Sequence, residues 1–148
     1  MRKITASVLG LGFVLVAASA GAAAEPKALP LGSGPVAGYY QGTNTASQLP
    51  GAKVPVALVI NQAGTGVTGG YVAASGVYGT GTGTFSGNQG TMTWTNSTPS
   101  CPGTYTNTYK LSGATLSWTY TGKDCLGAET GSGTAVRVPI THGAAKKK

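Results

Sequence analysis

Acidic side chains are nearly absent from this sequence: Glu25, Asp124 and Glu129 are the only three in 148 residues. Histidine is scarcer still, with His142 alone near the C-terminus. General acid–base and glycosidic chemistry need a carboxylate pair or a histidine–carboxylate couple held by structure. Asp124 and Glu129 flank Cys125 and read as solvated loop charges, and a serine nucleophile would have no base but His142. A metal site is equally poorly supplied, because one histidine, two cysteines and scattered carboxylates do not make a tetrahedral ligand set. The expectation is therefore a chain that is not an enzyme, with no catalytic residues, no metal and no cofactor.

Net charge is +7, yet a basic groove is missing too. Arg2 and Lys3 open the chain and Lys146, Lys147 and Lys148 end it. Between them Lys27, Lys53, Lys110, Lys123 and Arg137 stand against the three acids, which leaves the body nearly neutral. Tracking phosphates takes several clustered Lys and Arg, so no nucleic-acid partner is expected.

Also missing is any ten-residue run with a helical period; glycine and threonine, both poor in helix interiors, dominate instead. The apolar stretch at the N-terminus is too short for a permanent anchor, which needs roughly 20 residues. Met1-Arg2-Lys3, an apolar centre from Val8 to Val16 and then Ala22-Ala23-Ala24 before Glu25 have the order of a cleavable secretory signal peptide over residues 1–24. Ala20-Gly21-Ala22 is the alternative cleavage site. No cysteine stands there to take a lipid. The expected product is secreted or periplasmic, with no membrane span after cleavage.

What remains is about 124 residues, one domain by length. Residues 25–37 hold three prolines and two glycines and read as an extended arm. Residues 140–148 read as a basic, frayed tail. In an exported chain Cys101 and Cys125 pair by default, which contributes roughly 3–4 kcal/mol in the chain-entropy model. Free thiols acting as a redox pair would need a closer spacing.

Residues 38–139 then show eight short segments of alternating character: 39–43, 54–62, 67–73, 77–86, 91–95, 105–111, 115–121 and 130–138. Leu116, Trp118 and Tyr120 alternate with Thr115, Ser117, Thr119 and Thr121, and a period of two sends these sets to opposite faces. In the last segment Val136 and Val138 are in phase and Arg137 is opposite. Short Gly-containing connections such as Ala63-Gly64-Thr65-Gly66 join antiparallel neighbours. That turn also satisfies G-x-G-x-x-G, but no helix follows it, so a dinucleotide site fails on context.

The predicted fold is all-β: an antiparallel up-and-down meander of about eight strands that closes into a small barrel, with a two-sheet sandwich as the alternative. A Cys101–Cys125 bridge would join the loop before segment six to the loop after segment seven, which an antiparallel hairpin places side by side. Strands mostly five to ten residues long and a lysine C-terminus argue against an outer-membrane barrel. Alternate glycines at Gly79, Gly81 and Gly83 predict a flattened or sharply curved wall, or room for a ligand or for close backbone approach.

Aromatic residues carry the candidate site. Tyr71, Trp94, Tyr105, Tyr109, Trp118 and Tyr120 fall mostly on the inward phase, where they can fill a core or line a small apolar pocket with phenol and indole handles. The candidate ligand-binding residues are Tyr40, Tyr71, Trp94, Tyr109, Trp118 and Tyr120.

Two family resemblances accompany this pattern. Gly38-Tyr39-Tyr40-Gln41-Gly42 resembles the opening G-x-W-x-N strand of avidin-like barrels of the calycin group. The run from Leu58 to Tyr71 resembles their second and third strands, and Met92-Thr93-Trp94 their central tryptophan strand. Tyr40 replaces the first tryptophan and no W-G-Q-like segment follows, so the resemblance implies architecture and small-molecule binding but not biotin. Ser75-Gly76-Val77-Tyr78 and Tyr109-Lys110-Leu111-Ser112-Gly113 resemble, more distantly, motifs of periplasmic lysozyme inhibitors. The expected function is non-catalytic binding of a small apolar or aromatic molecule; the alternative is a protein-binding module such as a hydrolase inhibitor.

Overall fold

The computed structural model describes residues 32–139. The expected signal peptide over residues 1–24, residues 25–31 of the expected arm and the expected tail with His142 lie outside the described residues.

Eight strands follow one another: β1 Gly38–Ala46, β2 Val54–Ala63, β3 Gly66–Ala73, β4 Tyr78–Ser86, β5 Gln89–Asn96, β6 Gly103–Ser112, β7 Thr115–Asp124 and β8 Gly127–Val138. Each pairs antiparallel with the next, and β8 pairs with β1 to close a barrel. Closure leaves no free sheet edge, which is how a meander with one apolar face hides both face and edges. Among the described residues no helix is long and apolar enough to cross a membrane.

Most strands run one to three residues past the segments read from sequence. Tight turns explain this. Gly64, Gly87, Gly113 and Gly127 take positive φ between 58° and 112°, so pairing continues to the turn itself. Ala63 pairs with Gly66, Ser86 with Gln89, Ser112 with Thr115 and Asp124 with Gly127.

The outer wall of β4 to β7 is a threonine lattice. Thr82 faces Thr93, Thr93 faces Thr106 and Thr106 faces Thr121 across successive ladders. Such β-branched pairs favour the pleated surface and give the exterior hydroxyls rather than charges.

The two ends of the barrel differ. At one end Ile60, Val67, Phe85, Met92, Leu111 and Leu116 fill the interior and are buried. Each such side chain contributes roughly 1.5–3 kcal/mol by leaving water. Residues 32–37, the end of the arm, fold over this end rather than running free. Val36 is fully buried, its amide donates to Gln62 Oε1 at 3.0 Å, and its carbonyl accepts from the Tyr40 hydroxyl at 2.9 Å. At the other end lie the β1–β2, β3–β4, β5–β6 and β7–β8 connections. There Cys101 and Cys125 form a disulfide with Cα atoms 5.0 Å apart, tying the β5–β6 loop to the β7–β8 turn as the strand order predicts.

Candidate functional site

Inside the loop-bearing half, glycines decide where the aromatic rings go. Tyr71 pairs with Gly79, Trp94 with Gly81, Tyr105 with Gly122, Trp118 with Gly133 and Tyr120 with Gly131. A Cβ on Gly81 would come within 2.5 Å of the Trp94 ring, and one on Gly131 within 2.4 Å of Tyr120. Each ring lies across the bare backbone of its partner, so the glycine row in β4 is a bed for aromatic side chains.

The same rule corrects the phase of β8. Hydrophobicity alone would turn Val136 inward, yet Val136 is 53 % exposed while Ala135 is buried. Gly131 and Gly133 must face inward to receive Tyr120 and Trp118, and this carries Glu129 to the inside with them.

The rings form three pairs. Tyr71 meets Trp94 edge-on at 5.4 Å, Tyr105 meets Tyr120 edge-on at 5.7 Å, and Tyr109 meets Trp118 tilted at 5.8 Å. These separations suit the ring quadrupole. Between them a cavity of about 350 Å³ opens at the disulfide end. Val54, Val56, Leu58, Ala73 and Val77 supply an apolar wall; Asn44, Gln48, Tyr105, Tyr120, Asp124 and Glu129 supply a polar one.

Hydrogen bonds along the polar wall run in one direction. Trp118 Nε1 donates to Asn44 Oδ1 at 3.1 Å, Asn44 Nδ2 to the Tyr120 hydroxyl at 3.2 Å, and that hydroxyl to Glu129 Oε1 at 2.7 Å. Tyr105 places its hydroxyl 2.9 Å from Asp124 Oδ2 and 3.3 Å from Glu129 Oε2. Deeper in the cavity Trp94 Nε1 and Asn107 Nδ2 both donate to the Tyr109 hydroxyl, at 2.8 and 3.0 Å.

These surroundings set the protonation states. Burial, helped by the charge of Glu129, pushes the Tyr71 hydroxyl up to about 12. Burial also raises Tyr105, Tyr109 and Tyr120 above the ordinary phenol value, and hydrogen bonds to carboxylates add to it at Tyr105 and Tyr120. All four remain neutral donors at physiological pH. Burial acts to raise Asp124, but hydrogen bonds from the Leu126 amide, Tyr105, Gln48 and the Gly127 amide outweigh it and hold the carboxyl below its usual range.

Tyr71, Trp94, Tyr109, Trp118 and Tyr120 thus line one cavity. Tyr40 does not. Its side chain is fully buried at the filled end, where it bonds to Val36 and accepts from Arg137 Nη2 at 2.8 Å, so it belongs to the plug. Sequence reasoning placed Tyr105 on the inward phase but not among the candidate ligand-binding residues, and it left out Asn44, Asn107 and the two carboxylates. Glu129 was recoverable, since it lies an even number of residues from Gly131 and Gly133, whose role as ring beds sets the inward phase. The donor atoms of Cys101, Asp124 and Cys125 cluster within 4.8 Å, but the disulfide leaves no thiolate to bind a metal. Set against family models, curated proteins and solved structures, the chain matches none.

Proposed function

We propose that this protein is exported and binds a small molecule without transforming it, holding the ligand in the open half of the barrel. One observation carries this reading: the barrel is packed at one end and hollow at the other, and the hollow is lined by five of the six aromatic side chains that the sequence singles out. A volume of about 350 Å³ falls at the lower end of the range for small-molecule sites, and mostly apolar walls with a few convergent polar groups are their usual chemistry. Rings held on glycine beds lose little freedom when a ligand arrives, which favours binding by preorganisation. The signal-peptide pattern supports export, and the disulfide that such a compartment permits stands at the cavity rim.

The test is stoichiometric uptake of the neutral fluorescent probe N-phenyl-1-naphthylamine. The protein is expected to take it up at one saturable site, and Ala73→Trp, which places an indole in the cavity, is expected to abolish uptake while the fold persists. Absence of saturable uptake by the unmodified protein would refute the reading.

A further inference from the structure

We propose that the cavity selects a small organic cation, an ammonium group carried on an apolar or aromatic body. The proposal rests on the ligand-binding reading above and deepens it.

Charge is sorted across the barrel wall. Asp124 and Glu129, the two acids of the described chain, both line the cavity. Lys53, Lys110, Lys123 and Arg137 do not line it. Arg137 lies at the opposite end, 5.4 Å from the centre of the Tyr40 ring. The side-chain donors that reach the two carboxylates are neutral: Tyr105, Tyr120 and Gln48. Two carboxylates and no cation among its lining residues give the cavity a negative potential.

Proton supply points the same way. Tyr105 has one hydroxyl proton and two carboxylate oxygens before it, at 2.9 Å on Asp124 and 3.3 Å on Glu129. That proton serves one acid at a time, and the nearer is Asp124. Tyr120 also has one proton before two acceptors, Glu129 Oε1 at 2.7 Å and the Thr45 carbonyl at 3.1 Å; the nearer is Glu129, and the chain from Trp118 through Asn44 leads there. Glu129 Oε2 has only the longer, 3.3 Å contact with the Tyr105 hydroxyl, a donor it shares with Asp124, and so has room to accept from a ligand. An ammonium group supplies both protons and the opposite charge; a hydroxyl can donate one proton here but brings no charge, and a carboxylate can donate none.

The remaining surface suits such a ligand as well. Tyr71, Trp94 and Trp118 line the same space, and aromatic rings of this kind suit a cation and an aromatic body alike. Val56 and Ala73 provide the apolar contact.

The experiment compares three probes that share one phenyl body: phenethylamine, 2-phenylethanol and phenylacetate, each titrated calorimetrically at neutral pH. A charged hydrogen bond to a carboxylate contributes enough to make phenethylamine bind about 10- to 100-fold more tightly than 2-phenylethanol, with phenylacetate weakest. In Glu129→Gln, whose amide oxygen can still accept from Tyr120, the advantage of phenethylamine should shrink to a few-fold while 2-phenylethanol binds as before. Asp124→Asn gives an independent measure should the first variant fail to fold. Equal affinities, a preference for phenylacetate, or no measurable phenethylamine binding overturns the charge assignment. N-phenyl-1-naphthylamine in the same preparation separates the two failures: uptake leaves the ligand-binding reading standing, and its absence removes that reading too.

Discussion

The indole of Trp118 lies on Gly133, its direct partner across the β7–β8 ladder, so closely that a Cβ there would stand 2.2 Å from Cζ2. The same Cβ would stand 2.8 Å from the Thr43 carbonyl, so moving the ring aside would not by itself make room for it. The glycine thus holds a cavity wall in place from behind.

Gly133→Ala is therefore expected to cost about 1–3 kcal/mol, the range for overpacking a fitted site. Gly66→Ala is the control. Its Cβ would meet nothing nearer than the Ala63 carbonyl at 3.5 Å, and its φ lies outside the positive range, so stability should hold or rise by about 0.4–1 kcal/mol. Urea denaturation of the two variants checks both values.

Loss of the bridge in a Cys101→Ser, Cys125→Ser double variant should lower stability by roughly 3–4 kcal/mol, as its 24-residue separation implies. Because Cys101 lines the cavity, probe uptake should weaken along with stability. The midpoint of denaturation with and without reductant gives the first, and the dye titration the second.

Alkaline pH should unfold this barrel early. The folded chain holds the protons of Tyr71, Tyr105, Tyr109 and Tyr120 more tightly than the unfolded chain does. Above the ordinary value of 10.0 the unfolded state binds fewer of them, so stability is intact below that pH and falls as pH rises through the folded values. Denaturation midpoints at about pH 8 and about pH 11 should show the fall, and Tyr71→Phe should lessen it. On the acid side Asp124 acts in the opposite sense: its lowered value adds stability that is lost as pH falls through it.

Asn44 links two rings of the wall, and Asn44→Ala strands the Trp118 indole nitrogen and removes a donor from Tyr120. A buried donor without a partner costs about 1–3 kcal/mol. Thermal unfolding should register that loss, and the tryptophan emission should shift as the ring loosens.

The eight-strand order, its closure and the disulfide were legible because period-two alternation and short glycine turns are local signals. Most inward aromatics followed from the same alternation. Tyr40 lies at the filled end, apart from the other five, which alternation does not reveal because it tells inside from outside but not one end of a barrel from the other; its height depends on register with Leu58 and Arg137. Val136 misled for another reason: a valine outside weighs less than a glycine that must lie under Trp118. Asp124 and Glu129 looked like loop charges because their contacts, through Tyr105, join residues 19 and 24 positions apart.

The chain has two tryptophans, Trp94 and Trp118, and both line the cavity, so their two indole N–H resonances report on it directly. Titration of N-phenyl-1-naphthylamine into the isotopically labelled protein, followed by nitrogen–proton correlation spectra, is the most direct test of a hollow, ligand-taking barrel half. Saturable movement of these two signals is predicted, with the amides of Val67 and Leu116 at the filled end unmoved. If the indole signals stay still through saturating probe, or move no more than those amides, the cavity is not a binding site.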